Sequence, residues 1–113
     1  MRFVVSTLQR AELDIDRTYI WLADRSKQGA AHWYQAAREA ISRLANDAAE
    51  HGLAPESSKL GADIRQKFFR TRRGRPYRVI YTVVGNEARV LRIRGPGQAP
   101  VTAEDISEGI AGQ

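Results

Sequence analysis

Six basic side chains, Arg65, Lys67, Arg70, Arg78, Arg92 and Arg94, recur along three short runs of residues between positions 63 and 95. Guanidiniums held on a rigid surface bind phosphates through paired N–H···O bonds, and rings placed between them stack on bases. That combination suits single-stranded RNA or DNA.

The charge is concentrated. Positions 59–98 hold eleven Lys/Arg against two Asp/Glu, positions 1–58 seven against eight, and positions 99–113 none against three. Such a field favours an anionic partner, either nucleic acid or an acidic protein segment. A solvated basic surface that serves solubility is the ordinary alternative. Other chemistries lack their residues. There is no cysteine, which removes disulfides, thiolate metal sites and a Cys nucleophile and fits a reducing cytoplasm. His32 and His51 are the only histidines and suit surface or capping roles. Asp14 and Asp16 face different sides of a helix and cannot chelate together. No zinc pattern, P-loop, dinucleotide fingerprint or nucleophile elbow is present, so neither metal nor cofactor is expected. No apolar run approaches the length of a membrane span, and Met1-Arg2-Phe3-Val4-Val5 does not open a signal peptide.

The elements that must position the cations follow from periodicity. Residues 2–6 are β-branched and aromatic and suit a strand. Ser6, with Gln9 three residues later, forms a possible capping box for a helix over residues 8–24, whose stripe is Leu8, Ala11, Ile15, Tyr19 and Leu22. Ser26 to Gly29 interrupts the pattern, and a second, alanine-rich helix spans 30–49 through Trp33, Ala37, Ala40, Ile41, Leu44 and Ala48. The short connection predicts an antiparallel helical hairpin. Gly52 and Pro55 stop it, and residues 56–61 read as a surface loop. Strands over 63–71, 76–84 and 87–94 follow as an antiparallel meander, with Gly85-Asn86 as a two-residue turn. Residues 1–98 thus form one domain. Residues 99–113 form a tail in which Thr102 to Asp105 could cap a short helix carrying Ile106 and Ile110. The fold class is α+β: an N-terminal strand and a helical hairpin packed on one face of a small, mainly antiparallel sheet.

Alternation assigns the faces. The apolar sets Ile64/Gln66/Phe68/Arg70, Tyr77/Val79/Tyr81/Val83 and Arg89/Leu91/Ile93 should cover the helices. Arg65, Lys67, Arg78, Arg92 and Arg94 are then left on an open face, with Phe69 and Ile80 between them. An ordinary polar outer face of an antiparallel sheet is the alternative.

Three stretches carry a family resemblance: T-L-Q-R-A-E-L-D-I-D-R-T-Y-I-W-L-A from Thr7, G-L-A-P-E-S from Gly52, and R-P-Y-R-V-I-Y-T-V from Arg75 followed by V-L-R-I-R. Together with the element order, they make the chain resemble the RelE/ParE superfamily of toxins from bacterial type II toxin–antitoxin systems, plasmid stabilisation proteins among them. The resemblance implies a cytoplasmic growth inhibitor whose basic sheet face is covered by a cognate acidic, partly disordered antitoxin. It also implies one of two targets. RelE-like members cleave mRNA on the ribosome, and there Arg78 matches the arginine that contacts the scissile phosphate; Lys67 and Arg70 lie on the strand that carries lysines. ParE-like members poison DNA gyrase. For a nuclease the resemblance implies Lys67, Arg78 and Arg94 as catalytic candidates, cations that stabilise the charge developing on the phosphate. Active nucleases also place a Tyr or His after the last strand; here Gly95-Pro96-Gly97-Gln98 follows Arg94 with no Tyr or His beyond it. Because arginine stays protonated, Lys67, Tyr77 or Tyr81 would have to transfer protons instead, and this tilts the expectation toward gyrase. A non-toxic nucleic-acid-binding domain is the further alternative.

Overall fold

The computed structural model describes residues 2–110. In order these are β1 (Val4–Thr7), α1 (Gln9–Ala23), α2 (Lys27–Asp47), α3 (Glu56–Leu60), β2 (Arg65–Phe69), β3 (Tyr77–Val84), β4 (Glu87–Arg94), a 3-10 turn (Glu104–Ile106) and α4 (Ser107–Ile110). The sheet order is β1-β4-β3-β2. β2, β3 and β4 form the expected meander, while β1 pairs parallel to β4 from Val4↔Glu87 to Thr7↔Val90. A parallel pair needs a long crossover, and the helical hairpin, α3, β2 and β3 together supply it. The chain is therefore α+β, as its patterning indicates. At the β3–β4 turn only Gly85 takes a left-handed φ, at 61°.

α1 and α2 lie on one face of the sheet. Ile15, Ala37, Leu44 and Trp33 meet Val79, Tyr81, Val90, Ile93 and Phe69 there. The alanines at 37, 40 and 48 bring α2 close enough for the Tyr81 hydroxyl to donate to the Ala48 carbonyl at 2.6 Å. Burial pushes the Tyr81 phenol up to about 12. Tyr81→Phe is expected to leave that carbonyl without its donor and to lower stability by about 1–2 kcal/mol, read as a shift in the urea midpoint at unchanged m-value.

The opposite face is also covered. Ile64, Ile80 and Leu91 pack with Ala54 from the segment before α3 and with Val101 and Ile106 from the C-terminal segment. The sheet therefore has no open basic face. The cause is visible in β3: Val79, Ile80 and Tyr81 are all fully buried in succession, as in a strand covered on both sides.

Several local expectations are corrected. Ser6 lies inside β1 and donates to Glu87 Oε2 at 2.6 Å; α1 starts at Gln9 with no side-chain cap from its own N-terminal flank. The Arg10 N–H is satisfied instead by Glu108 Oε1 at 3.0 Å, so the C-terminal segment serves that helix end. Ser26 does not merely interrupt: it is the N-cap of α2, accepting from the Gly29 N–H at 3.0 Å. Residues 56–60 are a short helix with Glu56 and Ser57 buried, not a surface loop. The Thr102–Asp105 cap does form, through Thr102 N–H to Asp105 Oδ2 at 2.8 Å and Asp105 N–H to Thr102 Oγ1 at 3.2 Å, and Ile106 beyond it is buried.

Candidate functional site

Two strands break the alternation read from the sequence. In β2, Arg65 pairs with Tyr81, Lys67 with Val79 and Phe69 with Tyr77, so Arg65, Lys67 and Phe69 face the helices rather than the opposite side. The apolar count of the two β2 faces is nearly balanced, and tertiary partners break the tie. Phe69 stacks against Trp33 with ring centroids 5.9 Å apart. Lys67 donates to Asp47 Oδ2 and to the Ala40 carbonyl on α2, each at 2.9 Å. In β4 a bulge shifts the register from Ile80↔Arg92 to Tyr81↔Val90. Leu91 therefore joins Ile80 in the second core, while Val90 and Ile93 both face the helices. A bulge inserts one residue into one strand and so reverses parity beyond it.

Arg78, Arg92 and Arg94 do share the face opposite the hairpin, but acids from distant segments meet them. Arg78 forms a two-pronged pair with buried Glu56, at 2.9 and 2.8 Å, and donates to Gln66 at 3.0 Å. Glu56 also accepts the Val101 N–H at 3.1 Å. The Arg78 guanidinium, against the opposing effect of burial, holds the Glu56 carboxyl at about 2. Arg92 grips Asp14 at 2.8 and 2.9 Å and reaches Asp105 at 3.1 Å, and Asp14 accepts the Ile93 N–H at 2.9 Å. Hydrogen bonding to Asp14 raises the Arg92 guanidinium. Arg94 reaches Asp105 at 3.1 Å and the Ala99 carbonyl at 3.0 Å. Arg65 donates to the His51 carbonyl at 2.8 Å and lies 3.9 Å from Asp63. Of the six basic residues singled out by spacing, Arg70 alone is exposed with neither an ion pair nor a hydrogen bond.

The acids that engage these cations were not legible as partners. Asp14 follows Ala11 by three residues, the spacing of a buried flank, and that was the available signal. Glu56 had none beyond standing behind Pro55. The proton-transfer substitutes fare similarly. Tyr81 is fully buried, Lys67 is committed to Asp47, and Tyr77 is half-buried with its phenol pushed up by burial. His51 lies 3.4 Å from Asp47 at the end of α2.

A cluster of unpaired positive charge lies elsewhere. Arg70, Arg72, Arg73 and Arg75, in the β2–β3 loop, are all exposed, and none has a partner among the described residues. This loop borders a cavity of about 430 Å³ lined by Trp21, Arg25, Trp33, Arg73, Arg75 and Tyr77 among others. A second, of about 320 Å³, shares the wall of Trp21, Tyr77 and Pro96 and adds Arg17. Among the described residues no acidic side chain lines either one. Arg25 stacks over the Trp21 ring at 3.7 Å, and the buried Trp33 indole N–H has no partner among the described residues.

The family model of the ParE toxin of the type II toxin–antitoxin system parDE matches residues 5–100. The chain belongs to the ParE toxin family. The match spans the hairpin, the meander and the start of the C-terminal segment, so both partners of every arginine ion pair described above, except those with Asp105, lie within the matched residues. Among solved structures, the chain is similar to one from the chromosomal ParDE TA system of P. aeruginosa. The identity is 21%, the TM-score is 0.60, and the match covers 82% of this chain and 95% of that one. At that identity the likeness is one of fold. No curated protein sequence matches the chain. Among the described residues no helix is long and apolar enough to cross a membrane.

Proposed function

We propose that this ParE-family toxin arrests growth by poisoning DNA gyrase, and that a cognate antitoxin with an acidic, partly disordered segment neutralises it. The observation that supports this target over mRNA is the engagement of the sheet cations. Cleavage by a ribose 2′-hydroxyl needs an accessible cation on the phosphate and a group that transfers protons near neutral pH. Lys67, Arg78 and Arg94 are each held by a carboxylate, and no Tyr or His follows Arg94. An antitoxin segment would find exposed basic residues in the β2–β3 loop and exposed apolar ones at Ile20, Trp21 and Phe68. This mixture suits a disordered acidic chain that folds on binding.

Induced expression in a bacterial host separates the targets. Trapped gyrase–DNA cleavage complexes and a DNA-damage response are expected, with no new mRNA 5′ ends in primer extension. New 5′ ends at unchanged supercoiling would move the assignment to an endoribonuclease. Harmless expression would leave a plain nucleic-acid-binding domain.

A further inference from the structure

The cleft between the tip of the helical hairpin and the β2–β3 loop gathers four arginines that have no ion pair among the described residues, away from the sheet arginines. From this geometry we infer that it is a binding site for the phosphodiester backbone of DNA. Arg25, Arg73 and Arg75 border the larger cavity and Arg17 the smaller. Among the described residues no carboxylate lines either cavity, whereas every sheet arginine facing away from the hairpin has one. Evolution of a basic surface for solubility alone does not require four loop arginines without a counter-ion beside a concave wall. Guanidiniums, weakly hydrated and fork-shaped, match phosphate oxygens in pairs. Trp21 contributes by holding Arg25: the ring 3.7 Å beneath the guanidinium and the Trp21 carbonyl, which accepts from Arg25 Nη1 at 2.9 Å, fix its plane, and the remaining N–H groups are left for an anion.

Charge complementarity selects the occupant. An acidic peptide would also meet the charge, but carboxylates on a flexible strand lack the regular spacing of a backbone, with which arginines on two separate walls can engage successive phosphates. Arg17 and Arg25 lie on α1 and just beyond it, and Arg73 and Arg75 lie on the loop across the cleft. The larger cavity, about 430 Å³, admits a sugar–phosphate unit. The inference concerns DNA binding alone and does not rest on gyrase being the target.

The test uses the purified full-length protein, labelled random-sequence 20-mer DNA as duplex and as single strand, and labelled polyglutamate as the acidic-peptide probe, read by fluorescence anisotropy. The expected result is binding of DNA in preference to polyglutamate, with affinity falling steeply with salt. Arg73→Ala with Arg75→Ala should weaken DNA binding about 10-fold and reduce the slope of log K against log salt by about 2, since each lost phosphate contact removes roughly 0.9. Both side chains are exposed and unpaired, so the variant keeps the wild-type fold, checked by an unchanged melting curve. Arg70→Ala with Arg72→Ala, on the same loop but outside both cavities, should reduce the slope by less. Equal effects of the two pairs, an unchanged slope in the first, or preference for polyglutamate would overturn the assignment. Duplex and single strand are distinguished by their relative affinities. Because the readout is binding and not toxicity, failure here leaves the growth-arrest proposal standing, and the reverse also holds.

Discussion

Glu56→Ala is expected to lower the unfolding free energy by about 3–5 kcal/mol, the range for removing one partner of a buried ion pair. Its carboxylate accepts both arms of Arg78 and the Val101 N–H, and nothing else within reach carries a charge to replace it: Gln66 offers Arg78 a neutral oxygen only. Against a typical total of about 5–15 kcal/mol, the loss leaves a marginal domain. The same pair sets a pH signature. The folded-state value of about 2 lies below the ordinary 4.5, so its stabilisation is fully present above about pH 4.5–5 and is lost as pH falls toward 2. By linkage, this contributes about 3 kcal/mol to acid sensitivity. Glu56→Gln keeps the side-chain shape and an acceptor for Val101 but lacks the titration. Its urea stability should therefore be lower at pH 7 and fall less between pH 5 and 3 than that of the wild type. Parallel pH curves for the two proteins would show that the pair does not carry the dependence. Arg78→Ala is likewise a folding variant, since it strands Glu56, and is unsuited to probing target binding.

Ile106→Ala is the second large effect, expected at about 2–4 kcal/mol for truncating a buried aliphatic side chain. Ile106 is 4% exposed and packs with Ile80, Leu91 and Val101 on the face opposite the helical hairpin. Neighbouring residues bind the segment to the same surface: Asp105 to Arg92 and Arg94, and Glu108 to the first turn of α1. Burial pushes the Asp105 carboxyl up, but the Thr102 cap and the two guanidiniums outweigh it and hold it below the usual range. Equilibrium denaturation gives the loss, and hydrogen exchange locates it, with protection falling at Val101 and Ile93 before α2. Wild-type stability in Ile106→Ala would mean that this segment contributes nothing to the fold. Removing positions 99–113 altogether uncovers Ile64, Ile80 and Leu91 and is expected to promote aggregation.

Much of the architecture is local physics and was legible in the sequence. The alanine-rich period of α2, the Gly85-Asn86 turn and the alternation of β3 each follow from nearby residues, and together they determine the α+β order and the hairpin's position on the sheet. The concentration of cations between positions 59 and 98 is likewise a property of the sequence alone. Tertiary structure decided which of those cations are available. Asp14 lies 78 residues from Arg92 and Glu56 lies 22 from Arg78, and no periodicity signals that such acids will be carried to the sheet. The β4 bulge reverses a parity that sequence spacing treats as continuous, and Lys67 turned toward α2 because Asp47 is there. Ion pairing depends on distances across the fold, whereas patterning reports only which residues share a face. In the β2–β3 loop, by contrast, Arg70, Arg72, Arg73 and Arg75 have no carboxylate partner among the described residues.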